Sequence, residues 1–361
     1  MTQDIFVPID ALRRFAEALL GKLGVPAADA RVTASLLLET DMRGIESHGM
    51  AHLVDFYVRR LQSGEVNPQP SISITRESIS AATIDGDRGL GFVVGDRAMR
   101  LAIEKARATG SGWVSVGNST HYGAGSCYAM MALEENMIGF SFTTGGRLMT
   151  PPGGLGRTMG LNVISAAAPA PHGFPYVLDM ATSVVAAGKL EIARRREQSI
   201  PEGWAIDAAG RPLTDPHGLH PDGMLLPLGG SPVTGAYKGF GLALLVDILT
   251  GALSGFGTST EIDGGRNAAQ CFGALRIDAF VPLEQYLERI GGMIDAVKRT
   301  PRIEGVDEIR IPGELEHQLA ESRRRAGTVP LHSRVLDGFR EEAEEFGVPF
   351  DLMPHNEGAH T

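Results

Sequence analysis

The stretch WVSVGNSTHYGAGSCYAMMALEENMIGFSFT, residues 113–143, decides the fold class. Trp113 to Gly117 reads as a strand, a polar and glycine-bearing loop follows, and 125–136 reads as a helix. A second strand spans 139–143. Strand–helix alternation of this kind builds a mixed α/β body. Working outward, Ser78 to Ile84 alternates as a strand and Asp85 to Gly91 is a glycine-rich turn. Phe92 to Thr109 is helical, with Ala98, Leu101, Ala102 and Ala106 on one side. Downstream, Val177–Leu178 reads as strand, and 183–196 and 239–253 as helices.

The chain ends read differently. Asp10 is placed to cap a helix with the apolar face Leu12, Phe15, Leu19 and Leu23, stopped by Gly24. Ala27 to Met42 is a second helix. Ser47 is read as the N-cap of a third, with Leu53, Phe56, Tyr57 and Leu61 inward and Gly64 at its end. After Glu314 the chain is helical and strongly charged. The predicted organisation is a helical part at 1–72, an α/β domain at 73–310, a second helical part at 311–353 and a disordered tail at 354–361.

Composition narrows the function. The 361 residues carry 33 Lys plus Arg against 43 Asp plus Glu, a formal charge of −10, which argues against nucleic-acid and anionic-membrane partners. The start carries Asp4 and Asp10 where a signal peptide would be basic and then apolar. No apolar run is long enough to cross a bilayer. With only two cysteines, Cys127 and Cys271, the expected setting is reducing and cytoplasmic, with both thiols buried. The 46 glycines imply many tight turns or close approaches to a ligand.

The usual nucleotide signatures are absent: Gly86-x-x-Gly89-x-Gly91 has the wrong order for a dinucleotide fingerprint, and no GxxxxGK[ST] occurs. A GxSxG elbow is missing too. Two histidine segments stand out instead. In Glu46-Ser47-His48-Gly49-Met50-Ala51-His52, a cap at Ser47 would put His48 in the first helical turn and His52 one turn on. There the dipole attracts an anion and tunes an imidazole for proton transfer. The same residues would serve equally as the cap and surface of an ordinary helix. The second segment, Asn118 to Gly125, lies between strand and helix, where α/β folds place ligands. Polar side chains followed by Gly suit backbone contact with a nucleotide, with His121 as a hydrogen-bonding ring; a plain turn is the other reading. Asp179 ends a strand just before a helix, as ribose-binding carboxylates do and as helix caps do. Lys189 faces a site or water, and Lys238 is a lone cation at a helix start that suits an anionic ligand. Arg194–Arg195–Arg196 reads as a solvated helix end, or as a site for an extra phosphate.

Taken in order, SHG (47–49), THYGAG (120–125), LDMATS (178–183), PEGWAIDAAGRPLTDP (201–216), LLPLGG (225–230), YKGFGLALLVDILTGALSG (237–255) and IPGE (311–314) resemble the malate/L-lactate dehydrogenase family, which is unrelated to the Rossmann-type enzymes. That family includes sulfolactate, ureidoglycolate and diketogulonate oxidoreductases and piperideine-2-carboxylate reductases, and the resemblance spans about residues 8–350. It implies a helical domain built from both chain ends, a non-Rossmann nicotinamide-binding α/β domain, and usually a homodimer. It also implies hydride transfer between NAD or NADP and a small 2-hydroxy or 2-oxo acid, or a related cyclic imino acid, with no metal. By the same resemblance, His48 is the proton donor supported by Ser47, or His121 takes that role, and Lys189 belongs to the catalytic set. His121, Tyr122, Gly123, Ala124, Gly125, Gly145, Asp179, Met180, Ala181, Lys238, Gly313 and Glu314 would meet the cofactor. The substrate would meet His52, Leu161 and Asn162.

Three departures follow. His52 stands where relatives usually carry an Arg that clamps the substrate carboxylate, and imidazole lacks the bidentate, permanently charged grip of guanidinium. Gly160-Leu161-Asn162-Val163 replaces Gly-Thr-Asn-Pro, losing a hydroxyl. Lys189, where imino-acid reductases have Asp, matches the hydroxy-acid enzymes. Hydride chemistry is expected to be retained and substrate recognition to have moved. Two other readings stand beside this one: a metal-dependent hydrolase or lyase using His48, His52 and His121, with Gly49 where HExxH would place Glu, and a nucleotide-binding relative without catalysis.

Overall fold

The computed structural model describes residues 4–262 and 267–352, so the tail predicted at 354–361 lies outside the described residues. The chain divides into two compact units, one from residues 1–70 and 315–361 and one from 71–314. The first begins with β1 (Asp4–Pro8), α1 (Ile9–Lys22) and α2 (Ala27–Met42), then a 3₁₀ turn at Met50–His52, a π-helical segment at Leu53–Val58 and α3 (Arg59–Gln62). The second opens with β2 (Ser73–Glu77), β3 (Ala81–Asp85), α4 (Gly91–Thr109), β4 (Ser111–Ser119) and α5 (Ser126–Ala129). It continues through β5 (Met137–Thr143), β6 (Arg147–Met149), β7 (Met159–Gly160), β8 (Val163–Ala168), β9 (Tyr176–Ala181), α6 (Ala187–Arg195), β10 (Ala205–Ile206) and β11 (Met224–Leu225). It closes with α7 (Ala236–Asp247), β12 (Ala268–Arg276) and α8 (Leu283–Lys298), after which α9 (Glu314–Ala326), β13 (Thr328–His332) and α10 (Ser333–Phe346) return the chain to the first unit.

In the first unit α1 buries Leu12, Phe15 and Leu19, and the Phe15 ring stacks on Phe339 of α10 at 5.2 Å. Asp10 does not cap the helix: Pro8 holds that position, and Asp10 sits in the first turn paired with Arg13. The expected stop is there, with Gly24 at φ +85° and Val25 N–H reaching back to Leu20 O. The predicted third α-helix is instead a 3₁₀ turn running into a π-helical segment, and only Arg59–Gln62 is α-helical. β1 and β13 pair antiparallel.

The second unit is built on a seven-stranded sheet of order β2-β3-β4-β12-β5-β8-β9. Only β3 and β4 run parallel, joined by α4 as a βαβ unit; every other neighbour pair is antiparallel. Alternation along β12 shows the two faces. Phe272 packs on Tyr122 and Tyr128 beneath α4 and α5, while Cys271 packs with Phe142 and with Val246 of α7. A smaller sheet, β10-β11-β6-β7, stands beside it. Of the outer strands, β2 is exposed along its whole length, whereas Val177 N–H of β9 is taken by Pro312 O. Several boundaries move from their sequence readings. Ser78 forms the turn before β3, closing on Ala81 through backbone and hydroxyl. The helix read over 125–136 is one α turn followed by 3₁₀ structure. Ser183 lies in an isolated bridge with Pro227, so α6 begins only at Ala187.

Candidate active site

In the first unit, α2 ends on Gly44 at φ +77°, with Ile45 N–H bonded to Thr40 O, and this reversal carries the chain back over the end of the helix. The Asp41 side chain, 2% exposed, meets it there and accepts Met50 N–H at 2.9 Å. Burial pushes this carboxyl up to about 7, with Glu46 adding to the rise and the Met50 bond and Arg323 opposing it. Ser47 is therefore not the N-cap. Its hydroxyl lies 2.9 Å from His48 Nδ1, and Gly49 precedes the 3₁₀ turn. Because Asp41 already uses Met50 N–H, the open, anion-attracting helix start predicted at Ser47 is not formed.

His48 is the first ring of a column. It stacks on His52 at 5.9 Å, His52 meets Phe56 at 5.7 Å, and the Arg60 guanidinium lies 3.7 Å over Phe56. His48 and His52 are thus brought together as expected, although not by regular α-helical spacing.

In the second unit, the loop after β4 is bound on several sides. Thr120 Oγ1 accepts Gly91 N–H and donates to Gly89 O, and Gln270 Nε2 donates to Thr120 O. His121 Nδ1 accepts Gly123 N–H at 3.4 Å. Asp179 ties this loop to β8 and β9, its carboxylate accepting Ser126 N–H at 2.9 Å and the Ser165 hydroxyl at 2.7 Å. Gly125 lies against the same serine, since a Cβ there would sit 2.2 Å from Ser165 Oγ. Gly313 is pressed on Val177 of β9, so Gly313 and the loop end at 125–126 both lie against the β8–β9 pair.

Other predicted contacts need correction. The Tyr122 ring is core, stacked on Tyr128 at 4.7 Å with its hydroxyl bonded to Ser141, and its carbonyl accepts the Tyr128 hydroxyl, so its side chain does not face a ligand. Asn162 is fully buried: its amide oxygen accepts Gly145 N–H and the Ser259 hydroxyl, and its nitrogen donates to Ala243 O. It braces the Gly145 turn, and its burial keeps it from direct contact with a substrate in this structure. Leu161 packs between two apolar clusters. The Glu314 carboxylate is occupied by Lys298 at 2.5 Å and by Ile311 N–H at 3.0 Å. Lys189 is exposed on α6, and Lys238 is exposed in the first turn of α7 with its ammonium 5.9 Å from the Tyr237 ring. Three residues went unread in the sequence, namely Asp41, Ser126 and Ser165. Ser126 follows the THYGAG run directly, which was the available signal; Asp41 and Ser165 had none. Among the described residues no three His, Cys, Asp or Glu side chains are grouped to hold a metal ion, and no helix is long and apolar enough to cross a membrane.

A profile described as malate/L-lactate dehydrogenase matches residues 7–340. The chain is 45% identical over 347 residues to a malate dehydrogenase of Pyrococcus abyssi, covering 95% of each chain. It is 35% identical to an L-sulfolactate dehydrogenase of Methanocaldococcus jannaschii, covering 91% of this chain and 94% of that one. Among solved structures, malate dehydrogenase from Pyrococcus horikoshii superposes with a TM-score of 0.87 at 42% identity, over 97% of this chain and 99% of that one.

Proposed function

The chain belongs to the malate/L-lactate dehydrogenase family, and on that premise we propose that it moves a hydride between NAD or NADP and a small 2-hydroxy or 2-oxo acid of malate or lactate type, with cyclic imino acids as the next class to try. The observation that carries the reading is the Ser47–His48 pair, 2.9 Å between hydroxyl and Nδ1. With Nδ1–H donating to the hydroxyl and Nε2 protonated as well, the His48 imidazolium carries the proton that a reduced carbonyl needs. With Nδ1–H donating to the hydroxyl, Nε2 is bare and takes the proton released on oxidation. One weakly polar contact thus serves both directions. The bound dinucleotide supplies or accepts the hydride.

The second unit has groups that fit a dinucleotide. Ser126 Oγ is buried without a partner next to Asp179, and Lys238 has no acidic partner among the described residues. The first suits a ribose hydroxyl and the second a diphosphate. Main-chain groups at 121–125, Gly145, Met180, Ala181 and Gly313 are the candidate close contacts. Lys189 completes the catalytic set, and His121, with Gly123 N–H on Nδ1, is the alternative proton donor. His52, held between His48 and Phe56, offers a hydrogen bond where a guanidinium would give fixed charge, so substrate recognition rests more on other groups. The exposed apolar residues Tyr237, Leu244 and Leu245 on α7 and Ile248 just after it support a homodimer through that face, and two buried cysteines outside any disulfide support a cytoplasmic setting.

The test is a panel of 2-oxo acids and cyclic imino acids with NADH and NADPH, followed by nicotinamide absorbance. His48→Ala should lower turnover by about 10²-fold or more while nicotinamide fluorescence titrations stay unchanged. Wild-type turnover in that variant moves the acid role to His121. No turnover with any acid or imine, together with stoichiometric zinc in the purified protein, favours the hydrolase reading instead.

A further inference from the structure

We infer that Asp41 is a positioning residue for His48: its buried side chain, rather than a helix, fixes the turn on which the imidazole stands. The inference rests on the proton-donor reading of His48. Three observations converge. Asp41 Oδ2 accepts Met50 N–H at 2.9 Å across a fully enclosed contact. Gly49 lies directly on the carboxylate, where a Cβ would come within 1.9 Å of Oδ1 and 2.4 Å of Cγ. Arg323 of α9 and Gly44 N–H both donate to the Asp41 main-chain carbonyl, which anchors the holder itself. The two residues after His48 are therefore clamped by one side chain from the last turn of α2.

Regular structure does little else there. His48 N–H bonds to Ile45 O in a simple turn, and the segments that follow are 3₁₀ and π-helical, whose hydrogen bonds are poorer than those of an α-helix. Glycine in the SHG motif gains a physical reason: any side chain at 49 occupies the place of the Asp41 carboxylate. The charged groups facing Asp41 are Arg323 from α9 and Glu46 from the turn. With burial, they leave its carboxyl changing charge around pH 7. Ionised, it makes a charge-assisted bond to Met50 N–H; protonated, a weaker one. The Met50 N–H bond itself is strongest above neutrality, although the buried charge costs the fold stability there.

The test is steady-state kinetics on Asp41→Ala, Asp41→Asn and Gly49→Ala in the full chain. Asp41→Ala should lower kcat about 10- to 100-fold with cofactor affinity and melting profile close to wild type, because a displacement on the order of 1 Å costs that much. Asp41→Asn keeps the acceptor, so it should recover most of kcat at pH 6, but it should lack the rise that wild type shows between pH 6 and 8. Gly49→Ala should resemble Asp41→Ala, and the double variant should be no worse than either single one, because both break one contact. Wild-type kcat in Asp41→Ala, or a wild-type pH profile in Asp41→Asn, overturns the inference. Should Asp41→Ala not fold, Asp41→Asn and Gly49→Ala decide it alone. Wild-type turnover in His48→Ala marks a separate failure, that of the proton-donor reading.

Discussion

The turn at 45–50 and the loop at 118–125 each present a histidine beside glycines, yet their glycines are enclosed by different things. At Gly49 an added methyl meets the tip of one side chain, the Asp41 carboxylate. At Gly91, on which the loop lies, it meets main chain: Thr120 O at 2.2 Å and His121 O at 2.5 Å. The carboxylate is the end of a side chain, whereas the Thr120 carbonyl belongs to main chain held by Gln270 Nε2 and by the Thr120 hydroxyl between Gly89 and Gly91. The proposed proton site is therefore set by one adjustable residue and the proposed cofactor site by the framework.

Gly91→Ala gives the harshest test of that contrast. Overpacking against two carbonyls should cost about 3 kcal/mol, a drop of roughly 6–12 °C in melting temperature, with nicotinamide binding lost. Gly49→Ala should melt close to wild type; equal losses in the two would erase the distinction. The buried carboxylates of the two units sharpen it next, because they titrate in opposite senses. Asp41 is raised by burial, so the stability it contributes is complete below its unfolded pKa near 4 and is lost as pH rises through about 7. Asp41→Asn should thus gain on wild type as pH climbs from 4 to 8, by on the order of 2 kcal/mol in denaturant titrations. Burial also pushes Glu314 up, but the Lys298 bond, Ile311 N–H and nearby Arg310 outweigh it and hold the carboxyl below its ordinary value. Its contribution is present above about pH 4.5 and fades as pH falls through the lowered value. Glu314→Gln should cost about 1 kcal/mol at pH 7, discounted for the part-exposed Lys298, and nothing measurable near pH 3. The mildest change is Arg60→Met, which strips the cation from Phe56 at the far end of the histidine column. It should cost about 0.5 kcal/mol, and a larger loss of turnover than of stability would show that the column transmits to His48.

Much of this was legible where local signals and tertiary demands agree. Ala27–Met42 was read to the residue, and Gly24 and Gly110 stop helices at φ +85° and +88° as glycines should. The centre of the sheet was not. β12, Ala-Ala-Gln-Cys-Phe-Gly-Ala-Leu-Arg, is buried on both faces over most of its length and shows no polar–apolar alternation. β1 and β13 were missed for another reason, that strands paired only with each other need no long apolar run. At the site, the paired histidines and the glycine loop were visible because their residue types carry chemistry. Asp41 was not, since an aspartate in the last turn of a helix looks solvated until tertiary structure closes over it. At Asn162 and Glu314 the sequence could not show that polar groups in motif positions are also engaged by the protein itself.

The outer strands of the large sheet have a consequence for handling the protein. β2 runs Ser-Ile-Thr-Arg-Glu in full contact with water, and the opposite margin is stapled by the Pro312 carbonyl. A neighbouring molecule seeking to extend the hydrogen-bonded ladder finds Arg76 and Glu77 on one flank and an already engaged amide on the other. Amyloid-like stacking is thereby discouraged even in concentrated stocks.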